Sequence, residues 1–242
     1  IYTPTHTLSL HDALPIFIGG MSWESTVDYY KILNREVKAE LGEPHSAEII
    51  MHSVDFAEIE KLQAAGEWDK LTIKMIKIAQ ELEAAGAEML LICANTMHKM
   101  APEVQNNIKI PLLHIADAAA EKIEADGYKK VGLLGTKYTM EGDFYKNRIE
   151  DKYNLEVLIP DLETRDLIHQ VIYQELVSGI LKDDSRDKFK KIITGLEEKG
   201  AEAVILGCTE IPLLIKAEDS SLLILNTTEL HAKKAVKFAL AN

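Results

Sequence analysis

The chain contains two cysteines, Cys93 and Cys208, each at the end of an apolar run. Two thiols are too few for a disulfide framework or a four-thiolate zinc site, so they are read singly. Cys208 stands in Gly207-Cys208-Thr209-Glu210-Ile211-Pro212, between a predicted strand and a helix start near 209–212. A free thiol titrates near ~8.5, and a helix N-terminus draws it towards neutrality. That expectation makes Cys208 a candidate reactive thiol. Glu210 beside it suits a proton acceptor or the partner of a cationic group. Free cysteine is often just a small buried hydrophobe, but the flanking glycine and polar pair fit that role poorly.

Three further turns share this character: Gly19-Gly20-Met21-Ser22, Ala94-Asn95-Thr96 and Gly135-Thr136. Each follows an apolar run and is small or hydroxylated. Such residues cap helices, and a helix start also presents backbone N–H groups to carboxylate oxygens. The glycine pair lacks the full dinucleotide fingerprint and its distal acidic residue. Gly20, Met21, Ser22, Asn95, Thr96, Thr136, Thr209 and Glu210 are therefore the candidate ligand-binding residues, around a thiol at Cys208.

The elements that must position these turns follow from periodicity. Short apolar runs alternate with longer amphipathic ones, the pattern of βα units on parallel sheets. Strands are predicted at 17–19, 47–54, 89–93, 112–114, 130–134, 155–159, 203–206 and 222–225. Helices are predicted at 25–41, 68–85, 139–153, 164–178, 185–199 and 228–241, the first with Val27, Tyr30, Leu33 and Val37 on one stripe. An internal repeat organises them. Leu82-Glu83-Ala84-Ala85-Gly86-Ala87-Glu88 is echoed by Leu196-Glu197-Glu198-Lys199-Gly200-Ala201-Glu202, and Gly20 precedes Asp28-Tyr29-Tyr30-Lys31 as Gly135 precedes Asp143-Phe144-Tyr145-Lys146. Two echoes at nearly one spacing imply duplicated halves. In open α/β sheets ligands sit beyond the carboxyl ends of strands, here a cleft between halves fed by four turns.

Hydrophobic residues make up 47% of the chain, enough for a core in each half, and the formal net charge is −12. That balance offers no basic face to nucleic acid or an anionic membrane. No apolar run approaches the roughly 20 residues of a membrane span, and a cytoplasmic enzyme is expected. Residues 1–16 read differently from the rest and resemble the translation of a sequencing adapter. The expectation is a non-native leader, irregular to about Ala13, with a shortened first strand ending at 17–18. Pro15 has no N–H and fits poorly in a central strand.

Together, Gly19-Gly20-Met21-Ser22-Trp23-Glu24-Ser25-Thr26, Asn95-Thr96-Met97-His98 and Gly207-Cys208-Thr209-Glu210-Ile211-Pro212 resemble the aspartate/glutamate racemase family, from about Phe17 to the C-terminus. The resemblance implies two pseudosymmetric Rossmann-like α/β lobes with mainly parallel sheets and an active-site cleft between them. The lobes are placed at 17–111 plus 224–242 and at 112–223. It also implies no metal, no pyridoxal or other cofactor, a homodimer, and racemisation of aspartate or glutamate. In typical members one thiolate removes the α-proton and a second thiol returns a proton to the opposite face. Asn95, Thr96, Thr136 and Thr209 are the donors expected to stabilise the substrate carboxylate as charge builds on it.

The chain departs from that pattern at one position. The family's first-lobe cysteine immediately precedes the Asn-Thr pair, where this chain has Ala94; Cys93 is one residue earlier. The repeat likewise pairs Ala94 with Cys208 and Cys93 with Gly207. Successive strand side chains point to opposite faces, so Cys93 is expected to pack away from the cleft. One thiol implies racemisation that favours one enantiomer, with water or a threonine serving the second face. The alternatives are a single-cysteine decarboxylase or isomerase, or a non-catalytic binder of acidic amino acids. Nor is there an evident cation for a side-chain carboxylate: 52–58 offers only His52, 173–179 has no Lys, and His98 and Lys99 lie near the right turn but are explained equally well by a solvated helix start.

Overall fold

The run Met-Leu-Leu-Ile at 89–92 is buried at every position, as a strand covered by helices on both faces must be. Around such runs the computed structural model, which describes residues 15–241, builds two parallel sheets. The first lobe contains β1 (Pro15–Gly19), α1 (Trp23–Leu41), β2 (Ile50–Ser53), α2 (Phe56–Ala64), α3 (Trp68–Ala84), β3 (Met89–Ile92) and α4 (Ala101–Asn106). There follow α5 (Ile115–Ala125), β4 (Lys130–Gly135), α6 (Lys137–Glu141), α7 (Asp143–Tyr153), β5 (Glu156–Leu158), α8 (Leu162–Gln174) and α9 (Asp183–Glu198). The chain closes with β6 (Ala203–Gly207), α10 (Ile211–Leu214), β7 (Leu223–Asn226) and α11 (Thr227–Ala241).

The sheet orders are β2-β1-β3 and β5-β4-β6-β7, and a parallel bridge from Leu112 to Leu90 adds a rudimentary fourth strand to the first. The two orders are therefore the same. Pairing of Ile18 with Ile92 and of Leu134 with Leu206 makes Gly19, not Gly20, the counterpart of Gly135. Gly86 and Gly200 end the equivalent helices, both at positive φ (100° and 93°), the conformation that favours glycine after a helix.

Alternation in β3 sorts the first lobe into two layers. Leu90, Ile92 and then Ala94 face α2, α3 and α4; Met89, Leu91 and Cys93 face α1 and α11. The stripe Leu71, Met75, Ile78 and Leu82 of α3 seals the first layer. Helix α11 lies against α1 and α5, so the chain's end binds the lobes together.

Several expectations are corrected. Pro15 begins a central strand, a place where its missing N–H is tolerated because the ladder starts there. The buried stripe of α1 is Thr26, Tyr29, Leu33 and Val37, while Val27 and Tyr30 face outward. Both sets have helical spacing, and the rotation is set by Thr26 packing under Gly19 and Gly20. Gly142 breaks the predicted 139–153 helix into α6 and α7. Helices α2 and α5 were not predicted. The lobe division at 223/224 falls inside β7, which pairs with β6. The irregular leader expected to Ala13 lies outside the described residues. No helix among the described residues is long and apolar enough to cross a membrane.

Candidate active site

The carboxyl ends of β1, β3, β4 and β6 open into one cleft. At the end of β1 the chain turns at Gly20, where φ is +87° and a Cβ would lie 2.3 Å from the Val54 carbonyl oxygen. Thr26 locks the turn: its hydroxyl accepts from the Gly20 N–H and donates to the Ser22 carbonyl, both at 2.8 Å. Met21 thereby lines the cleft.

Ser22 reaches across the lobes. Its hydroxyl and N–H donate to Glu210 Oε1 at 2.8 and 3.2 Å. The other carboxylate oxygen, Oε2, accepts from Cys208 Sγ at 3.0 Å and Thr209 Oγ1 at 2.9 Å. The thiol is thus 3.0 Å from a buried carboxylate able to take its proton. Burial pushes the Cys208 thiol well above its ordinary range, and the charge and acceptor of Glu210 add to the effect. The backbone N–H groups of Glu210 and Ile211 act in the opposite sense and are outweighed. The lowered thiol expected from the sequence is therefore wrong for this state. The four-residue α10 contributes too few aligned peptides to compete with desolvation.

Asn95 supplies an acceptor. Thr227 Oγ1 donates to the Leu206 carbonyl at 2.8 Å, so it must accept from Asn95 Nδ2 at 3.1 Å. This orients the amide and leaves Asn95 Oδ1, buried in the cleft lining, without a partner among the described residues. Hydroxyls of Thr96, Thr136 and Thr139 form a triangle with sides of 2.9, 3.2 and 3.2 Å, which joins the two lobes.

The two positions at the end of β3 differ as alternation requires. Ala94 lines the cleft, whereas Cys93 is fully buried among Phe17, Tyr29 and α11. Burial pushes the Cys93 thiol well above its ordinary range. His98 is not at a solvated helix start but fully buried. Its Nε2 accepts from the Ile115 N–H at 3.2 Å, so Nδ1 carries the proton and donates to the Ala94 carbonyl at 2.9 Å. Desolvation lowers it to about 4 and keeps it neutral; its role is to hold the Ala94 turn.

Of the sequence-predicted residues, Met21, Asn95, Thr96, Thr136, Cys208, Thr209 and Glu210 line the cleft. The Gly20 and Ser22 donors are taken by Thr26 and Glu210 and so are not free for a ligand. His52 is not in the lining, and Lys99 sits 4.5 Å over the Trp68 ring. The roof was missed. Tyr173 of α8 donates to Gln63 Oε1 of α2 at 2.9 Å, and Phe56, Ile172 and Val177 also line the cleft. No local motif announces these residues; they meet only because α2 and α8 overhang the same strand ends. Among the described residues no group of three or more His, Cys, Asp or Glu side chains is placed to hold a metal ion.

Residues 18–235 match the Asp/Glu/Hydantoin racemase family, a span that includes both sides of the cleft. The chain belongs to that family. Its fold resembles a solved structure described as a candidate Asp/Glu racemase from Yersinia pestis, with 47% identity and a TM-score of 0.88 over 94% of this chain and 99% of that one. An aspartate racemase homologue from Pyrococcus horikoshii OT3 is 38% identical, with a TM-score of 0.79 over 93% of this chain and 98% of that one. The broad specificity amino-acid racemase RacX of Bacillus subtilis is 23% identical over 180 residues, 72% of this chain and 74% of RacX. As a family member the chain is a racemase-type isomerase, built on two Rossmann-like lobes whose polar turns converge on Cys208 and Glu210.

Proposed function

We propose that this racemase exchanges the α-proton of a free amino acid, with Cys208 as the acid–base group and Glu210 as its proton partner. The observation that carries the reading is the 3.0 Å contact of Cys208 Sγ with Glu210 Oε2 inside a cleft lined from both lobes. Glu210 takes the thiol proton, the thiolate removes the α-proton, and the resulting thiol can return it. Thr96 and Thr136 supply hydroxyls for the substrate carboxylate, whose charge grows as the carbon is deprotonated, while the Thr209 hydroxyl is held by Glu210. The substrate ammonium is met by Asn95 Oδ1. A raised thiol suits this role, because protonated Cys208 is ready to act as the acid on one face.

Ala94 occupies the position from which a second thiol would serve the other face, so proton delivery there falls to water or a threonine hydroxyl. Exchange is then faster for one enantiomer than for the other. The test is proton–deuteron exchange at Cα in D2O for a panel of L- and D-amino acids. Wild type should exchange at least one substrate and Cys208→Ser none. Exchange that persists in Cys208→Ser would remove the thiol from the mechanism, and its absence from wild type across the panel would defeat the reading.

A further inference from the structure

We infer that the cleft selects amino acids with uncharged, largely apolar side chains over aspartate and glutamate, an inference that rests on the reading of Cys208 as the α-proton acid–base group. The polar donors and acceptors of the cleft come from the turns at the strand ends, and they are matched to the ammonium and carboxylate common to all amino acids. What remains for the side chain is the part overhung by α2 and α8. There the lining is Phe56 from α2, Met97, and Ile172 and Val177 from α8 and the turn after it, with Met21 from the opposite turn. These are the surfaces of a hydrophobic subsite.

Charge argues in the same direction. Among the described residues lining the cleft, Glu210 is the only one with a charged side chain, and it is an acid. The substrate ammonium offsets only one of the negative charges of Glu210 and the α-carboxylate, so a side-chain carboxylate would add a further charge with no cation beside it, and an unpaired buried charge is strongly disfavoured. Two lysines that follow cleft-lining residues closely in the chain are committed elsewhere. Lys137 pairs with Asp166 at 2.6 Å, and Lys99 lies over the Trp68 ring at 4.5 Å. Both face a separate open hollow that they share with Tyr138, Glu141 and His169. Gln63 and Tyr173, hydrogen-bonded to each other, are the polar part of the cleft's roof. The amide nitrogen of Gln63 donates to the Met97 sulfur at 3.3 Å. It can offer a neutral hydrogen bond to an uncharged polar tip, but it cannot balance a charge.

The decisive comparison uses side chains of one size. Glutamine and methionine have nearly the length of glutamate, and glutamine differs from it only by the exchange of a charged oxygen for an amide nitrogen. Cα exchange is measured for methionine, leucine, glutamine, glutamate and aspartate with the wild-type protein. The expected kcat/KM for methionine and glutamine exceeds that for glutamate by at least about 100-fold, since a site lacking the partner of a buried polar group discriminates steeply. Equal or better turnover of glutamate or aspartate overturns the inference while leaving the Cys208 reading intact. Calorimetric titration of the same five amino acids separates the two claims. If no amino acid exchanges but methionine or glutamine binds more tightly than glutamate, the Cys208 reading fails and the selectivity stands. If glutamate or aspartate binds as tightly or more tightly, or if none of the five binds, the inference fails whatever the exchange rates.

Discussion

Replacing Glu210 by glutamine keeps the shape of the side chain and removes its charge. In the fold the carboxylate accepts four hydrogen bonds, two from Ser22 at 3.2 and 2.8 Å and one each from Cys208 at 3.0 Å and Thr209 at 2.9 Å. An amide offers one accepting oxygen and one donating nitrogen. The Ser22 N–H is fixed by the backbone, whereas thiol and hydroxyl hydrogens rotate, so the amide oxygen should face Ser22 and the nitrogen Cys208. The two Ser22 bonds survive but lose their charge assistance, at about 1 kcal/mol each. That loss of about 2 kcal/mol corresponds to a Tm lower by roughly 4–8 °C for a chain of this size. The thiol responds in the other direction. Burial still raises it, but the Glu210 charge and acceptor that add to burial are gone, and an amide N–H can donate to the thiolate. Alkylation of Cys208 by iodoacetamide at neutral pH should therefore become faster, measured in a Cys93→Ala background so that one thiol reports. Cα exchange should fall by about 10²–10⁴, the usual contribution of a positioned proton acceptor. Opposite movements of alkylation and exchange are the signature. Alkylation that is unchanged or slower refutes the control of the thiol by Glu210; faster alkylation with undiminished exchange refutes its role as proton acceptor.

Ala94→Cys should raise exchange of the slower enantiomer more than that of the faster one, because it places a thiol at the cleft-lining position after β3; no change in the ratio of the two rates, in a folded protein that still binds substrate, would count against Ala94 as the cause of asymmetry. Cys93→Ser should leave exchange close to wild type, since Cys93 packs on the far layer, and inactivity equal to that of Cys208→Ser would refute this. Stability should fall in mild acid. Burial lowers His98 to about 4 and His231 to about 3, so both are neutral in the fold. The unfolded chain takes up their protons near ~6.5. Their contribution is complete above the unfolded value and declines as pH drops towards the folded ones. At pH ~5.5 the two together cost about 3 kcal/mol, or roughly 6–12 °C in Tm relative to pH ~7.5. A flat melting profile across that interval would show that these histidines are not held neutral.

Residue alternation and turn chemistry are local properties, and what depended on them was legible in the sequence. Parallel β strands followed from short apolar runs, and the duplication of the halves from the Gly86 and Gly200 echo. The sidedness of Cys93 and Ala94 came from the two-residue period of a strand, a geometry that needs no knowledge of what lies on either face. The convergence of Asn95, Thr96, Thr136, Cys208 and Glu210 followed from their shared place at strand ends. Other features depend on several elements at once, and only the tertiary structure decided them. Two stripes of α1 have equal helical spacing, and the packing of Thr26 against the Gly20 turn selects Tyr29, Leu33 and Val37 over Val27 and Tyr30. His98 reads as polar in sequence, yet it is buried because Ile115 and Ala94 supply both of its hydrogen bonds from separate segments. The protonation of Cys208 depends on how much protein surrounds it and on where Glu210 is held by Ser22, which lies 188 residues away in the chain. The roof made by Gln63 and Tyr173 exists only where two helices from different lobes overhang one cleft. Desolvation and long-range contact are sums over neighbours, and a sequence does not reveal those neighbours until the chain has folded.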